Sequence, residues 1–171
     1  GAILFIDSDM EIITKDIPDK LSLFIDRHPK TGGGIGIIRT FNGSVMRFSK
    51  GYDLTPLRMI FAGPTYFFAR LLKDFPGVGY LSTCVAKFFT MDLDGEVEKR
   101  VDWVAEGFFF VRTDLFTKYG GFDKRFKRFH KGPDLCLQIR NDGFQVWFIP
   151  DIEIKDLNQH TGTTWGRRYQ W

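Results

Sequence analysis

The chain has 171 residues, 43% hydrophobic, 26% charged and 16% aromatic, with a formal net charge of +3. That length suits one compact domain spanning residues 1–171 and is marginal for two, and the balance of apolar and charged residues excludes a disordered chain. The small net charge, with no stretch that concentrates Lys and Arg, excludes a phosphate-tracking nucleic-acid surface. No apolar run approaches the length that spans a bilayer, and no signal peptide is expected ahead of the first strand. Cys84 and Cys136 form no CxxC pair or Cys/His cluster, so two reduced thiols and a cytoplasmic location are expected, ahead of a disulfide or a zinc site.

In chain order, the chain opens with Gly1 and passes at once into the apolar run 2–6, which reads as a strand covered on both faces. A domain rarely begins in its own central strand, so residues upstream are expected. Asp7-Ser8-Asp9 follows at the carboxyl end of that strand. Asp16-Ile17-Pro18-Asp19 starts a helix with Pro in the first turn, leading through residues 20–27, and His28 before Pro29 is expected in solvent. Residues 29–34, with Gly32-Gly33-Gly34, lack the Gly-Lys-Ser/Thr ending of a phosphate loop and read as a flexible connection to a strand over 35–41. Asn42-Gly43 predicts a hairpin turn into residues 44–48.

Residues 55–75 have a helical pattern interrupted at Gly63-Pro64. Arg58, Arg70 and Lys73 stand there among large apolar side chains, which either pack in the core or lie on a membrane surface. Residues 101–112 read as a strand centred on Phe108-Phe109-Phe110-Val111. Thr113-Asp114 caps a short helix that Gly120-Gly121 ends. A helix over 134–141 turns Leu135, Cys136 and Ile139 inward. A strand over 144–149 is stopped by Pro150, with a further strand and tail over 151–171. Strands alternating with helices predict a layered α/β domain.

Asp7 and Asp9 flank one residue where a buried strand gives way to a loop, the place where open α/β sheets bind ligands. Two carboxylates there suit a hard divalent cation, Mg2+ or Mn2+, that clamps a diphosphate; the alternative is a turn of solvated carboxylates. Their company favours the former. Phe5-Ile6-Asp7-Ser8-Asp9-Met10 resembles the metal-binding DxD segment of family 2 glycosyltransferases. Residues 101–112 resemble the acceptor-side strand of the rhamnosyltransferase-like branch, Tyr119-Gly120-Gly121-Phe122-Asp123-Lys124-Arg125-Phe126 its GGFDERF turn, and Asp134-Leu135-Cys136-Leu137-Gln138-Ile139-Arg140 its DLCLR helix. The four blocks keep the family's order and spacing to about residue 150.

The resemblance implies a partial GT-A fold: a mixed β-sheet flanked by helices, lacking the N-terminal nucleotide-binding βαβ half that normally precedes the DxD segment. It implies a metal-dependent transfer of a sugar from a nucleotide-diphosphate donor to a glycan or lipid-linked acceptor, of the hexosyltransferase type used in cell-wall or surface-polysaccharide biosynthesis. The expected location is cytoplasmic, at the inner face of a membrane, with peripheral membrane contact. A missing half, or a second copy, would dock on the exposed face.

By carry-over, Asp9 is the direct metal ligand and Asp7 contacts ribose or metal. Trp103, Asp102, Glu106 and Gly107 border the acceptor and donor-sugar pocket, though a buried Trp and solvated loop carboxylates are the plain alternatives. His130 lies near the catalytic loop, either in the site or on the surface. Two departures qualify the likeness. The family's acidic pair before the DLCLR helix, whose Asp is the general base, is Lys131-Gly132 here. Asp134 is then the available base candidate, with helix N-capping as its other role, and retaining transfer also fits the loss. The family's metal-binding His on the last strand is Asp156 here, and His160 in a polar loop is a substitute ligand. A non-catalytic relative acting as a sugar-binding or assembly module is the rival reading. A metal-dependent hydrolase built on Asp7 and Asp9 fits poorly, because no further ligand cluster is visible in the sequence.

Overall fold

A computed structural model of the chain describes residues 1–46, 49–53, 97–127 and 130–157. The helix expected over 55–75, its membrane-surface reading, Cys84, Arg128 and His160 lie outside the described residues. The described chain forms β1 (Ala2–Ile6), β2 (Met10–Ile12), α1 (Ile17–Arg27), β3 (Thr31–Arg39), β4 (Lys50–Gly51), β5 (Lys99–Val101), β6 (Trp103–Val104), β7 (Phe108–Arg112), α2 (Thr113–Lys118), α3 (Lys131–Asn141) and β8 (Gln145–Asp156). The six-stranded sheet runs β1-β7-β3-β8-β2, with β5 also on β8, while β4 and β6 form a separate ribbon. β3 and β8 run parallel and the other pairs antiparallel, so the expected mixed α/β sheet is present. Among the described residues no helix is long and apolar enough to cross a membrane.

The glycine run is not a connection. Gly32, Gly33 and Gly34 lie inside β3, at the centre of the sheet between β7 and β8, and are buried. The strands approach so closely that a Cβ on Gly34 would stand 2.4 Å from the Trp147 carbonyl oxygen. On Gly36 it would stand 2.2 Å from that of Ile152. Glycine is chosen here for space, a signal that sequence alone does not separate from flexibility.

The proline does not stop the last strand either. β8 continues through Pro150, and its pairing with β3 steps from Ile35↔Phe148 to Ile37↔Glu153. The extra β8 residues bulge, and the bulge accommodates a residue with no N–H to give to the ladder.

The single strand expected over 101–112 is three short ones. Asp102 N–H donates to Gly51 O at 2.8 Å, Ala105 N–H to Ser49 O at 2.7 Å, and Gly107 O accepts from Asp7 at 2.9 Å. These bonds draw the backbone away from a straight ladder and make the bends that the site uses. The hairpin at Asn42-Gly43 is present: Gly43 has φ 82°, and Arg39 bridges Val45.

α1 buries Ile17, Leu21 and Phe24, one stripe at helical spacing. Phe24 meets Trp147 edge-on at 5.6 Å. His28, expected in solvent, is half-buried instead: its ring lies 4.5 Å from that of Trp147, and Nε2 is 3.0 Å from Glu98 Oε1. α2 begins after Arg112 with no side-chain cap. The Asp114 carboxylate accepts two bonds from the Arg112 guanidinium, which holds its carboxyl below the usual range. Part of the aromatic excess is core: Phe5 stacks on its cross-strand partner Phe109 at 4.8 Å, with Phe116 and Phe122 closing around it. Burying side chains of this size contributes about 1.5–3 kcal/mol each.

Cys136 sits in that core on α3, and burial pushes its thiol up to about 12. Native protein at pH 8 is expected to leave Cys136 unmodified by iodoacetamide, with alkylation appearing only on denaturation, as peptide mass spectrometry would show.

Candidate functional site

The site begins with register. β1 and β7 pair from Ala2↔Arg112 to Ile6↔Phe108, so the residue leaving β1 must meet the residue entering β7. Asp7 N–H accordingly donates to Gly107 O. A tight turn follows, with Met10 N–H on Asp7 O at 3.1 Å, and β2 then pairs Met10 with Asp156. Leu157 N–H donates to Asp9 O at 2.9 Å. Two separate backbone couplings therefore bring Asp7, Asp9, Glu106 and Asp156 to one end of the sheet.

The charges feel one another. Burial first, and then the carboxylates of Asp9, Glu106 and Asp156, push the Asp7 carboxyl above its ordinary value. Asp156 is only 2% exposed. Gly107 leaves room for the Asp7 carboxylate: a Cβ there would lie 2.7 Å from Met10 Cε and 3.2 Å from Asp7 Oδ2. Exposed Asp7 and Asp9 beside half-buried Glu106 and buried Asp156 offer the oxygen donors that suit a hard divalent cation. The convergence is one of charge, since among the described residues no three His, Cys, Asp or Glu side chains form a ready ligand set.

A raised carboxyl group costs the fold stability once ionised: its contribution is full below the unfolded-state value and is lost as pH rises through the folded-state value. Asp7→Asn is therefore expected to melt at a higher temperature than the native chain at pH 7 without divalent metal. Mn2+ should raise the melting temperature of the native chain and leave the variant's unchanged, a comparison that differential scanning fluorimetry makes directly.

α3 meets this acidic end. It starts at Lys131, earlier than expected, after His130 with φ 72°. Gly132 is buried against the 104–106 backbone; a Cβ there would lie 2.8 Å from Val104 O and 3.1 Å from Glu106 Cγ. Its N–H donates to Glu106 Oε1 at 3.1 Å. Asp134 is not the N-cap: it lies inside the first turn, where its N–H donates to His130 O and its Oδ2 accepts from Gln138 at 2.8 Å. The His130 side chain is exposed beside the site.

On the far side of the β6 ribbon, Asp102 Oδ2 accepts the Asp53 N–H at 2.8 Å, and Arg140 reaches both Asp102 and Asp53. This network ties α3 to the ribbon. Sequence reasoning missed it, because Asp53 belongs to no motif and lies far along the chain from Arg140, the last residue of the DLCLR-like block. Trp103 is half-buried, its indole N–H donating to Tyr52 O at 3.2 Å. The structure thus gathers Asp7, Asp9, Glu106, Gly107 and Asp156, places Gly132 against Glu106, and commits Asp102 to an ion pair. A separate groove of about 490 Å3 opens between β1 and α1, lined by Leu4, Ile17, Leu21, Ile25 and Arg112 among others. None of the clustered carboxylates lines it.

No family model matches the chain, and no curated protein sequence matches it. Among solved structures, GalNAc-T7 determined with UDP, GalNAc and Mn2+ matches with a TM-score of 0.54 and 13% identity, over 91% of this chain and 27% of that one. The chain has a partial GT-A-like fold. At that identity the likeness is one of fold, and the chain spans about a quarter of the length of the glycosyltransferase it matches.

Proposed function

We propose that the chain is the metal- and acceptor-binding part of a glycosyltransferase, related to the rhamnosyltransferase-like branch of family 2, moving a sugar from a nucleoside-diphosphate donor to a glycan or lipid-linked acceptor. The observation that carries this reading is the convergence of Asp7, Asp9 and Asp156 beside Gly107 at the end of β1 in a GT-A-like sheet. Asp7, Asp9 and Asp156, with His160, would hold Mg2+ or Mn2+, which when bound neutralises charge on the departing diphosphate. Trp103, Gly107 and the exposed His130 would border the sugar and acceptor, and Asp134 and Glu106 are the carboxylates nearest the start of α3. β1 has a strand partner on one side only among the described residues, so a nucleotide-binding half would continue the sheet there.

Isothermal titration of UDP into the protein, with and without Mn2+, tests the donor site. Metal-dependent binding followed by turnover of a nucleoside-diphosphate sugar is expected. Absence of both from the full-length protein would sink the proposal. Gly132, packed so that no side chain fits where the family likeness expects the base, favours a second reading, a sugar-binding or assembly module without transfer. Glycan binding indifferent to divalent metal, with no donor turnover, would select it.

A further inference from the structure

An attacking hydroxyl needs a carboxylate that is near the reacting centre, held in orientation and not already engaged. The acidic residues of this end of the sheet divide on those criteria. Asp7, Asp9 and Asp156 stand where a cation would be held. Asp102 is engaged by the Asp53 N–H and by Arg140. Asp134 accepts from Gln138 and has Arg125 as a charged neighbour.

Glu106 differs from each of them. It immediately precedes Gly107, whose carbonyl fixes Asp7, so it borders the metal-binding end without belonging to its loop. The Gly132 N–H orients its Oε1 at 3.1 Å, while among the described residues its Oε2 accepts no hydrogen bond. The position facing it carries no side chain: with Val104 O and Glu106 Cγ at 2.8 and 3.1 Å from where a Cβ would stand, residue 132 has no room for a carboxylate. The space into which a side chain at 132 would project is the space that Glu106 fills.

We propose that Glu106 is the general base of the transfer, taking the acceptor hydroxyl's proton on Oε2 while the Gly132 N–H holds Oε1. The assignment rests on the glycosyl-transfer reading above. In the step, the acceptor oxygen bonds to the anomeric carbon and the bond from that carbon to the diphosphate oxygen breaks. The electron pair leaves with the diphosphate, and the proton ends on Glu106. A base serving the hydroxyl on the side opposite the leaving group makes the reaction inverting.

The competing role for Glu106 is structural. His130 gives α3 no side-chain cap, and a Glu106 that merely satisfies the Gly132 N–H would serve as one from outside the helix. Glutamine separates the two roles, because its amide oxygen keeps the hydrogen bond and its amide cannot take a proton. The experiment uses the full-length protein, a panel of nucleoside-diphosphate sugars with Mn2+ to identify the donor, and NMR to assign the product's anomeric configuration. E106Q is expected to lose roughly 10²–10⁴-fold in turnover while binding Mn2+ and UDP within about twofold of the native protein, and the native product is expected to be inverted. An E106Q enzyme with near-native turnover, a retained anomeric configuration, or turnover that falls in D134N but not in E106Q overturns the assignment to Glu106 and leaves sugar transfer standing. A native protein that binds no Mn2+–UDP and consumes no donor overturns the transfer reading itself, and the role of Glu106 with it.

Discussion

Asp9→Ala is expected to lower Mn2+-dependent UDP affinity by at least about 100-fold, because loss of a mere supporting contact to a metal ligand already costs about 10–100-fold and Asp9 is proposed as a ligand itself. The substitution is well suited to the question. Asp9 is coupled to Leu157 through its carbonyl oxygen, so alanine keeps the backbone bond that joins the Asp9 loop to the end of β8. It removes the carboxylate alone, along with one of the charges that push Asp7 upward. Thermal stability without metal should therefore stay the same or rise while binding collapses. Calorimetry and a melting curve on the same sample read both. Unchanged Mn2+-dependent affinity would remove Asp9 from the metal site.

The largest effect on stability is expected at Gly36. An alanine there would set its Cβ 2.2 Å from the Ile152 carbonyl oxygen and 2.9 Å from Phe108 Cε1. Backbone on the facing strand cannot swing aside as the end of a flexible side chain can, so β3 and β8 must separate where β8 bulges around Pro150. Overpacking of that kind costs about 3 kcal/mol, at the upper end of its ordinary range. For a domain of this size that is a fall of about 6–12 °C in Tm. Gly43→Ala is the internal comparison. It meets nothing within 4 Å and is strained only by its φ of 82°, so it should cost about 1–2 kcal/mol. Urea melts of the two variants with equal m-values would establish the ranking, and a Gly36→Ala chain as stable as the native one would mean that the strands part freely.

Much of this was legible in the chain itself. The apolar runs 2–6 and 108–111 are strands, the Asn42-Gly43 turn is a hairpin turn, and Leu135, Cys136 and Ile139 form the inner stripe of α3, because period and turn chemistry are local properties. But run 2–6, expected to be central and covered on both faces, is a half-buried strand at the edge of the sheet among the described residues, since its place in the sheet is set by pairing with β7 and not by its own composition. The DxD segment and the three later blocks pointed to a GT-A-like sheet, and the fold agrees. What misled were residues whose local meaning is ambiguous. Gly32-Gly33-Gly34 has the composition of a linker, and Pro150 that of a strand terminator. Each is reversed by a neighbouring strand that sequence does not display: one needs the missing Cβ, the other a bulge that asks for no N–H. His28 looked exposed because the ring of Trp147, which covers it, lies far along the chain.

The same division runs through the site. The sequence by itself determined which residues are candidates for the chemistry: carboxylates after an apolar strand, a glycine where a base was expected, an acid near the last strand. Only the tertiary structure decided their grouping. The β1–β7 register sets Gly107 against Asp7, and the pairing of Met10 with Asp156 delivers a carboxylate from the other end of the chain. The packing of α3 on the 104–106 backbone leaves no room for a side chain at Gly132 and brings its N–H to Glu106. Carboxylates act on one another over a few ångströms whatever their separation in sequence, so the composition of such a site can be read along the chain, but its geometry is set by strand pairing.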